Sequence, residues 1–206
     1  MCDASRAAGG GHAGDDAAVT RRALLGGGAA VAVAAVAGCA GRPGGDGDGP
    51  DPVTLTTADA CDVCGMVIPN HPGPSAEIFY ADHGPTGHDG PAHFDSTWEA
   101  FEYDFEKQDA GWTREAFYVT DYSAVDYEVF TEGGDSLLST HPEAGAFVDA
   151  AAVTFVVGSE VRGAMGRDLV GFSAADDARA FREEYGGETA TLDEVTPMTV
   201  AQLGQG

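Results

Sequence analysis

Two cysteines and a methionine fall within six residues, where a glycine- and aspartate-rich segment ends. The stretch reads Cys61-Asp62-Val63-Cys64-Gly65-Met66. Thiolate and thioether sulfurs are soft donors, and among biological metals that combination favours Cu(I). The residue types therefore predict a site for monovalent copper in this stretch.

The spacing of Cys61 and Cys64 also suits other chemistry. Cys-x-x-Cys occurs in thiol oxidoreductases, where the first thiol lies at a helix N-terminus that favours the thiolate. Pro69, five residues after Cys64, would end such a helix early and weakens that interpretation. Three roles remain open for Cys61: a third copper ligand, a redox thiol, or half of a disulfide with Cys64 that blocks the metal or only holds the loop together.

Histidines supply further candidate ligands. His71 follows the sulfur-rich stretch in a turn that reads His71-Pro72-Gly73-Pro74, where it can bind metal or simply lie on the surface. His83, His88 and His93 recur every five residues, a spacing that suits no single face of a helix or strand. They are either ordinary loop residues or a set that a loop folds around Cu(II) or Zn(II).

Period-2 and period-3.6 patterns predict the elements that position these residues. Ser96 followed by Glu99 is a capping-box sequence, so we expect a helix from there to about residue 109. Ser173 is expected to cap a second helix over about 174–185, which Gly186 ends. The expected strands are 76–81, 92–94, 116–120, 125–131, 153–161, 169–172 and 189–192.

The same order of strand, cap and aromatic-faced helix occurs twice, at Phe94–Phe101 and at Phe172–Phe181. We therefore predict an α+β fold of two similar small ββαβ-type units. The first unit covers 55–131 and carries the Cys-Gly-Met site, and the second covers 132–196. Residues 197–206 are expected to be a C-terminal tail.

The pattern of the N-terminal residues predicts an export signal rather than a part of the folded domain. Arg21 and Arg22 precede a mildly apolar run that is too short for a comfortable membrane span, which is the layout of a Tat signal, with a short anchor helix as the alternative. The run ends in Val36-Ala37-Gly38-Cys39, which resembles a lipobox, so Cys39 is the expected lipidation site. Residues 1–38 would be the signal and 39–54 a flexible tether. The mature protein is then expected on the extracytoplasmic face of the cell membrane.

Charge and cysteine count exclude several classes of protein. The formal net charge is −24, and residues 1–38 contribute none of it because their three Arg and three Asp cancel. A surface with this much negative charge repels nucleic acid. It indicates either a face that attracts cations or a halophilic protein from a very salty environment. Cys2 and Cys39 belong to the leader, so Cys61 and Cys64 alone cannot form a four-cysteine zinc or iron–sulfur site. No nucleophile elbow, phosphate loop or catalytic carboxylate pair stands out, and we do not predict an enzyme.

Several short motifs together resemble the NosL family, the lipoprotein copper chaperones associated with nitrous oxide reductase. The resemblance covers about residues 55–196, and its Cys-x-Met and His-Pro-Gly-Pro combination is rather specific. The motifs are Cys64-Gly65-Met66, His71-Pro72-Gly73-Pro74, Phe94-Asp95-Ser96 and Arg162-Gly163-Ala164-Met165-Gly166, followed by Phe172 and 178–181.

The resemblance implies a fold related to organomercurial lyase, Cu(I) binding, and delivery of copper to the copper-sulfide centre of nitrous oxide reductase through its maturation machinery. Cys64 and Met66 match the family motif and are the first candidate ligands. Met165, in a glycine-flanked turn, is the candidate remote donor, with a core methionine as the alternative. Cys61 is an addition to the motif. The alternative function is an extracytoplasmic thiol-disulfide oxidoreductase that uses Cys61 and Cys64.

Overall fold

The structure, a computed structural model, describes residues 49–203. The predicted signal arginines Arg21 and Arg22, the lipidation site Cys39 and most of the predicted tether lie outside the described residues. Within 49–203, no helix is both long and apolar enough to cross a bilayer. The strands are β1 (Ala76–Tyr80), β2 (Ala92–Phe94), β3 (Arg114–Thr120), β4 (Val129–Glu132), β5 (Asp135–Leu138), β6 (Phe147–Asp149), β7 (Thr154–Gly163), β8 (Gly166–Phe172) and β9 (Glu188–Ala190). The α-helices are α1 (Thr97–Asp109), α2 (Ala175–Tyr185) and α3 (Pro197–Leu203).

Two stretches of the chain have the same topology. The first consists of β1, β2, α1 and β3, and the second of β7, β8, α2 and β9. In each stretch the first strand is central and pairs antiparallel with both of the others, which gives the orders β2-β1-β3 and β8-β7-β9. The α+β class with two ββαβ-type units is thereby confirmed.

The strands between these two stretches complete the sheets. β6 adds antiparallel to β3, and the β4–β5 hairpin joins β7 through a parallel pairing of β5. The predicted strand at 125–131 is wrong in extent, because the ladder begins only at Val129. The sequence does not predict β5 or β6, because these short strands include polar residues and show no clear alternation of apolar and polar side chains. The predicted boundary between residues 131 and 132 falls inside β4.

Both predicted helices are present, but only one has the predicted cap. The Ser96 side chain accepts a hydrogen bond from the Glu99 backbone amide at 3.3 Å, as an N-cap does. The Ser173 prediction is wrong, since Ala174 occupies the N-cap and makes no side-chain cap. The Ser173 amide instead donates to Asp121 Oδ1 at 2.9 Å, in the loop after β3. A tertiary hydrogen bond therefore positions the residue before the helix, and no side chain caps it.

Helix α1 lies at the centre of the larger core. Phe101 on its buried face contacts Phe117 of β3 and Phe155 of β7, with ring centroids 5.0 and 5.5 Å apart. On the helix's first turn, Trp98 Nε1 donates to the Val200 carbonyl of α3 at 2.8 Å. The expected C-terminal tail is thus a short helix, α3, that packs on α1 and contacts its first turn.

Two glycine-containing turns contact each other and explain why the motifs at 71–74 and 162–166 occur together. Gly73 has φ +111°, and a Cβ there would lie 2.5 Å from Gly163 Cα. The Gly73 amide also donates to the Leu138 carbonyl at the end of β5 at 2.7 Å. The turn between β7 and β8, which carries Met165, is thereby fixed beside the loop that begins at His71.

We expect Gly73→Ala to destabilise the fold through this close approach. Gly87 has the same φ of +111°, but a Cβ at that position would meet nothing within 4 Å, so Gly87→Ala controls for backbone strain alone. Both variants share the strain, and the added clash should lower the melting temperature of the Gly73 variant by several degrees more, because roughly 2 kcal/mol corresponds to about 4–8 °C in a chain of this size. Thermal unfolding measures the difference, and equal melting temperatures would show that the contact between the turns is not tight.

Candidate metal centre

The sulfur-rich stretch forms a tight loop closed by backbone hydrogen bonds. Ala60 and Val67 make an antiparallel bridge, and the Cys61 amide donates to the Met66 carbonyl at 2.9 Å. Gly65, at φ +76°, donates to the Cys61 carbonyl at 2.9 Å and reverses the chain. The loop therefore holds both cysteines on one short turn.

The two thiols meet two carboxylates from the start of α1. One ligand atom from each of Cys61, Cys64, Asp95 and Glu99 lies within 4.8 Å of every other. The Cys61 thiol donates to Glu99 Oε2 at 3.1 Å, and the Cys64 thiol lies 3.5 Å from Asp95 Oδ1. Both sulfurs are free rather than joined in a disulfide. The arrangement can bind a metal through two sulfurs, with oxygen ligands close by.

The exposure to solvent differs between the sulfur-bearing residues of the site. Cys61 is 4 % exposed, whereas Cys64 and Met66 are half-buried. Asp95 and Glu99 are buried at the N-terminal end of α1, where the helix dipole favours negative charge. A metal can therefore approach through Cys64 while Cys61 lies deeper.

Burial determines which side chains of the site carry protons when no metal is bound. It raises the pKa of the Cys61 thiol well above its ordinary value and, together with the nearby carboxylates Asp95 and Glu99, also raises the pKa of Cys64. Burial raises the pKa of Glu99 from 4.5 to about 7. The metal-free site therefore holds its protons, and a cation must displace them to gain thiolate ligands.

A buried aspartate joins the second ββαβ stretch to this site. Asp168 of β8 accepts hydrogen bonds through Oδ1 from the amides of Trp98 and Leu169, both at 2.8 Å. Burial raises the pKa of Asp168 from 3.8 to about 7, and its Oδ2 has no hydrogen-bond partner. Asp168 thus anchors the first turn of α1, which carries the carboxylates beside the thiols.

The structure brings together only some of the residues that the sequence singles out. Cys61 and Cys64 meet, and Met66 lies on the same loop. His71 is half-buried after a short 3₁₀ helix at Ile68–Asn70, and Met165 is 41 % exposed in the turn between β7 and β8. The roles of Met66, His71 and Met165 as ligands stay predictions.

Three carboxylates of the site were missed as site residues. Asp95 belongs to the Phe-Asp-Ser motif, and Glu99 was assigned to the capping box, although its side chain accepts from the Cys61 thiol instead. The sequence carries one signal for this role. Asp95 directly precedes the N-cap Ser96 and Glu99 follows it by three residues, so both carboxylates lie at the start of one helix. Nothing in the sequence marks Asp168.

The loop histidines divide into two groups. His83 stacks on the Trp112 ring with centroids 4.5 Å apart. His88 and His93 stack on each other at 4.7 Å, and both lie close to Asp62. The expectation that all three histidines surround one metal is therefore not met, while two of them share a cluster.

The amino-acid sequence is similar to those of known proteins. The family model NosL matches residues 52–200. The chain belongs to the NosL family. It is 27 % identical over 145 residues to the copper-binding lipoprotein NosL of Stutzerimonas stutzeri, a match that covers 70 % of the chain and 66 % of that protein. It is 29 % identical over 150 residues to the protein of the same name from Achromobacter cycloclastes, covering 72 % and 69 %.

A solved structure agrees with the fold. The crystal structure of the copper chaperone NosL from Shewanella denitrificans is 28 % identical, with a TM-score of 0.55, and the match covers 70 % of this chain and 94 % of that one. The chain spans about two thirds of the length of the two NosL lipoproteins it matches. The resemblance seen in the motifs is therefore confirmed at the level of the family.

We expect Glu99 to make the stability of the metal-free, reduced protein depend on pH. Its pKa is about 7 in the fold and 4.5 ordinarily, so between these values the folded state binds the proton that the unfolded state has released. Stability is therefore greatest at low pH and falls as the pH rises through 7, by at most about 1.4 kcal/mol per pH unit for this group. Glu99→Gln should reduce the fall between about pH 5 and pH 8, measured by urea unfolding.

Glu106→Gln is the matched control for this variant, because Glu106 lies exposed on the same helix beside Lys107. Its slope should equal that of the unmodified protein. Asp168 has a raised pKa for the same reason, so some slope should persist in the Glu99 variant. An unchanged slope in Glu99→Gln would contradict the assignment.

Proposed function

We propose that the protein is a membrane-tethered, extracytoplasmic Cu(I) chaperone that delivers copper to the copper-sulfide centre of nitrous oxide reductase. The observation that carries the proposal is the meeting of the Cys61 and Cys64 sulfurs on a half-exposed loop that also holds Met66. Two thiols and a thioether suit Cu(I) better than harder cations. The names of the relatives, copper-binding lipoprotein and copper chaperone, support the same cargo.

The proposed ligand set is small. Cys64 and Met66 are the primary ligands, and Cys61 supplies a second thiolate. Met165 is the remote donor that we propose from the second ββαβ stretch, and His71 is a further candidate. Cu(I) accepts two or three soft ligands, so a partner can add one of its own before this protein releases the metal. A shallow site of few ligands therefore suits transfer by stepwise ligand exchange.

Zn(II) is the natural competitor for this site. Zinc takes thiolate and carboxylate ligands in tetrahedral sites, and Cys61, Cys64, Asp95 and Glu99 offer that combination. The thioether of Met66, on the same loop, favours Cu(I), because thioether sulfur is a soft donor that Zn(II) binds weakly. We propose that the thiol protons are released when copper binds, because the metal takes thiolate ligands.

The oxidoreductase alternative gains no support from the site. A nucleophilic thiol needs a lowered pKa and access to its substrate. Burial and the neighbouring carboxylates raise the pKa of both thiols, and Cys61 is 4 % exposed. We therefore propose a role in binding rather than in catalysis.

The location and the partners rest on sequence. The relatives are named lipoproteins, and we propose that Tat export through Arg21 and Arg22 is followed by lipidation at Cys39. The net charge of −24 excludes nucleic acid as a partner. The partners that we propose are nitrous oxide reductase and its maturation machinery.

Titration of the reduced protein with Cu(I) against a competing chelator tests the ligand set. We expect one tightly bound copper per chain. Cys64→Ser and Met66→Ala should each weaken binding by at least tenfold, because each removes a primary soft ligand. Cys61→Ser should weaken it less severely, because Cys61 supplies an additional thiolate rather than a primary ligand. Met165→Ala tests the remote donor in the same assay.

Met198→Ala is the matched control, since Met198 is 72 % exposed on α3. Its affinity should equal that of the unmodified protein. Binding by Met66→Ala as tight as that of this control would remove the thioether from the site and count heavily against the proposal.

Transfer to apo nitrous oxide reductase tests delivery separately. The Cu(I)-loaded protein, mixed with reductase that lacks copper, should lose its copper while the reductase gains it, measured as metal content after separation of the two proteins. Free Cu(I) at the same total concentration, buffered by the chelator, is the control. Retention of copper by this protein in the presence of excess apo-reductase would contradict the proposed recipient while leaving copper binding intact.

A further inference from the structure

A second cluster of metal-ligating side chains lies next to the thiol site. One ligand atom from each of Asp62, His88 and His93 lies within 4.8 Å of the others. His88 Nε2 is 3.1 Å from Asp62 Oδ1, and the two imidazole rings stack at 4.7 Å with planes 12° apart. Two imidazoles and a carboxylate form a different donor set from the sulfurs of Cys61 and Cys64.

His93 provides an independent sign of a missing partner. It is 5 % exposed on β2, and its Nε2 is buried without a hydrogen-bond partner. A buried polar atom that is left unpaired is destabilising, so native proteins rarely tolerate one without a reason. A cation bound by one nitrogen of the His93 ring would supply such a partner.

We propose that Asp62, His88 and His93 form a second metal site, distinct from the thiol site, that takes a divalent cation of the Zn(II) or Cu(II) class. Imidazole and carboxylate are ligands that these ions prefer over Cu(I). Three protein ligands leave a fourth position for water, as in open zinc sites. The proposal does not require the copper chaperone function.

The geometry needs only a small adjustment to bind such an ion. Ligand atoms about 2.1 Å from a tetrahedral ion lie about 3.4 Å from each other, and the ligand atoms of the cluster all lie within 4.8 Å of one another, so no pair has to close by more than about 1.4 Å. His88 lies in the exposed loop between β1 and β2 and can make that movement. Asp62 is already held, because its carboxylate accepts from the His93 amide at 2.7 Å.

The position of Asp62 connects the two sites. It lies between Cys61 and Cys64, and its amide donates to the His93 carbonyl at 2.9 Å. An ion bound to Asp62, His88 and His93 would fix the His88 loop against the sulfur-rich loop. The expected consequence is a more rigid entrance to the thiol site.

A metal-free interpretation competes with this proposal. The Asp62 and His88 side chains can form an ion pair that holds the loop without any metal. That interpretation leaves His93 Nε2 unpaired. It also predicts that removal of His88 changes no metal affinity.

Titration of the full-length Cys61→Ser/Cys64→Ser protein with Zn(II), against a chromogenic chelator, tests the second site without the thiols. We expect one Zn(II) per chain, a loss of affinity of at least tenfold in His88→Ala, and none in His83→Ala. His83 is the matched control, because it belongs to the same loop but stacks on Trp112 outside the cluster. Cu(II) bound to the same background should show nitrogen hyperfine structure in its paramagnetic resonance spectrum, and His88→Ala should reduce it.

A second measurement covers the case in which the double serine variant does not fold. In the unmodified reduced chain, whose thiol site is first filled with one equivalent of Cu(I), a further equivalent of Zn(II) should shift the imidazole NMR signals of His88 and His93 while that of His83 stays in place. Equal zinc affinity in the His88→Ala and His83→Ala proteins, absence of Zn(II) binding to the folded background, or unshifted His88 and His93 signals would each overturn the proposal. Failure here leaves the Cu(I) titration of the thiol site unaffected, so the two proposals are tested separately.

Discussion

The first turn of α1 is the feature on which the site depends. It places Asp95 and Glu99 beside the two thiols, and the Cys61 thiol is bonded to Glu99 at 3.1 Å. The positive end of the helix offsets the negative charge that these carboxylates and any thiolate bring into a buried region. Asp168 binds the same turn from the second ββαβ stretch at 2.8 Å. The loop that carries Cys61 and Cys64 is therefore positioned by a helix end that both halves of the fold hold in place.

The repeated topology has a functional consequence. The first ββαβ stretch supplies the thiols and carboxylates, while the second supplies Asp168 and, through the β7–β8 turn, presents Met165 beside the 71–74 loop. The contact between Gly73 and Gly163 lets these two turns approach at backbone distance. The proposed ligand set, with Met165 as remote donor, would need both halves folded, and a set of so few side chains suits a protein that must release its metal.

Much of the fold could be predicted from the sequence, and the reasons for the misses are physical. Helix α1 follows from Ser96 and the aromatic residues on one face, and both ββαβ stretches follow from repeated local patterns. The Ser173 cap failed because the helix begins one residue later, with Ala174 at the N-cap, and long-range hydrogen bonds from the amides of Ser173 to Asp121 and of Ala174 to Ser123 position this entry to the helix. The meeting of Cys61 and Cys64 could be predicted because the two residues are close in sequence, while their role as ligands stays a prediction. Asp168 could not be found, because its role arises only from long-range packing.

The central claim is that sulfur atoms of the 61–66 loop bind Cu(I). X-ray absorption at the copper K-edge of the reduced protein, loaded with one equivalent of Cu(I), measures the identity of the ligand atoms directly. The account predicts a first shell with at least two sulfur atoms and a low coordination number of two or three. A first shell made only of nitrogen and oxygen would contradict it.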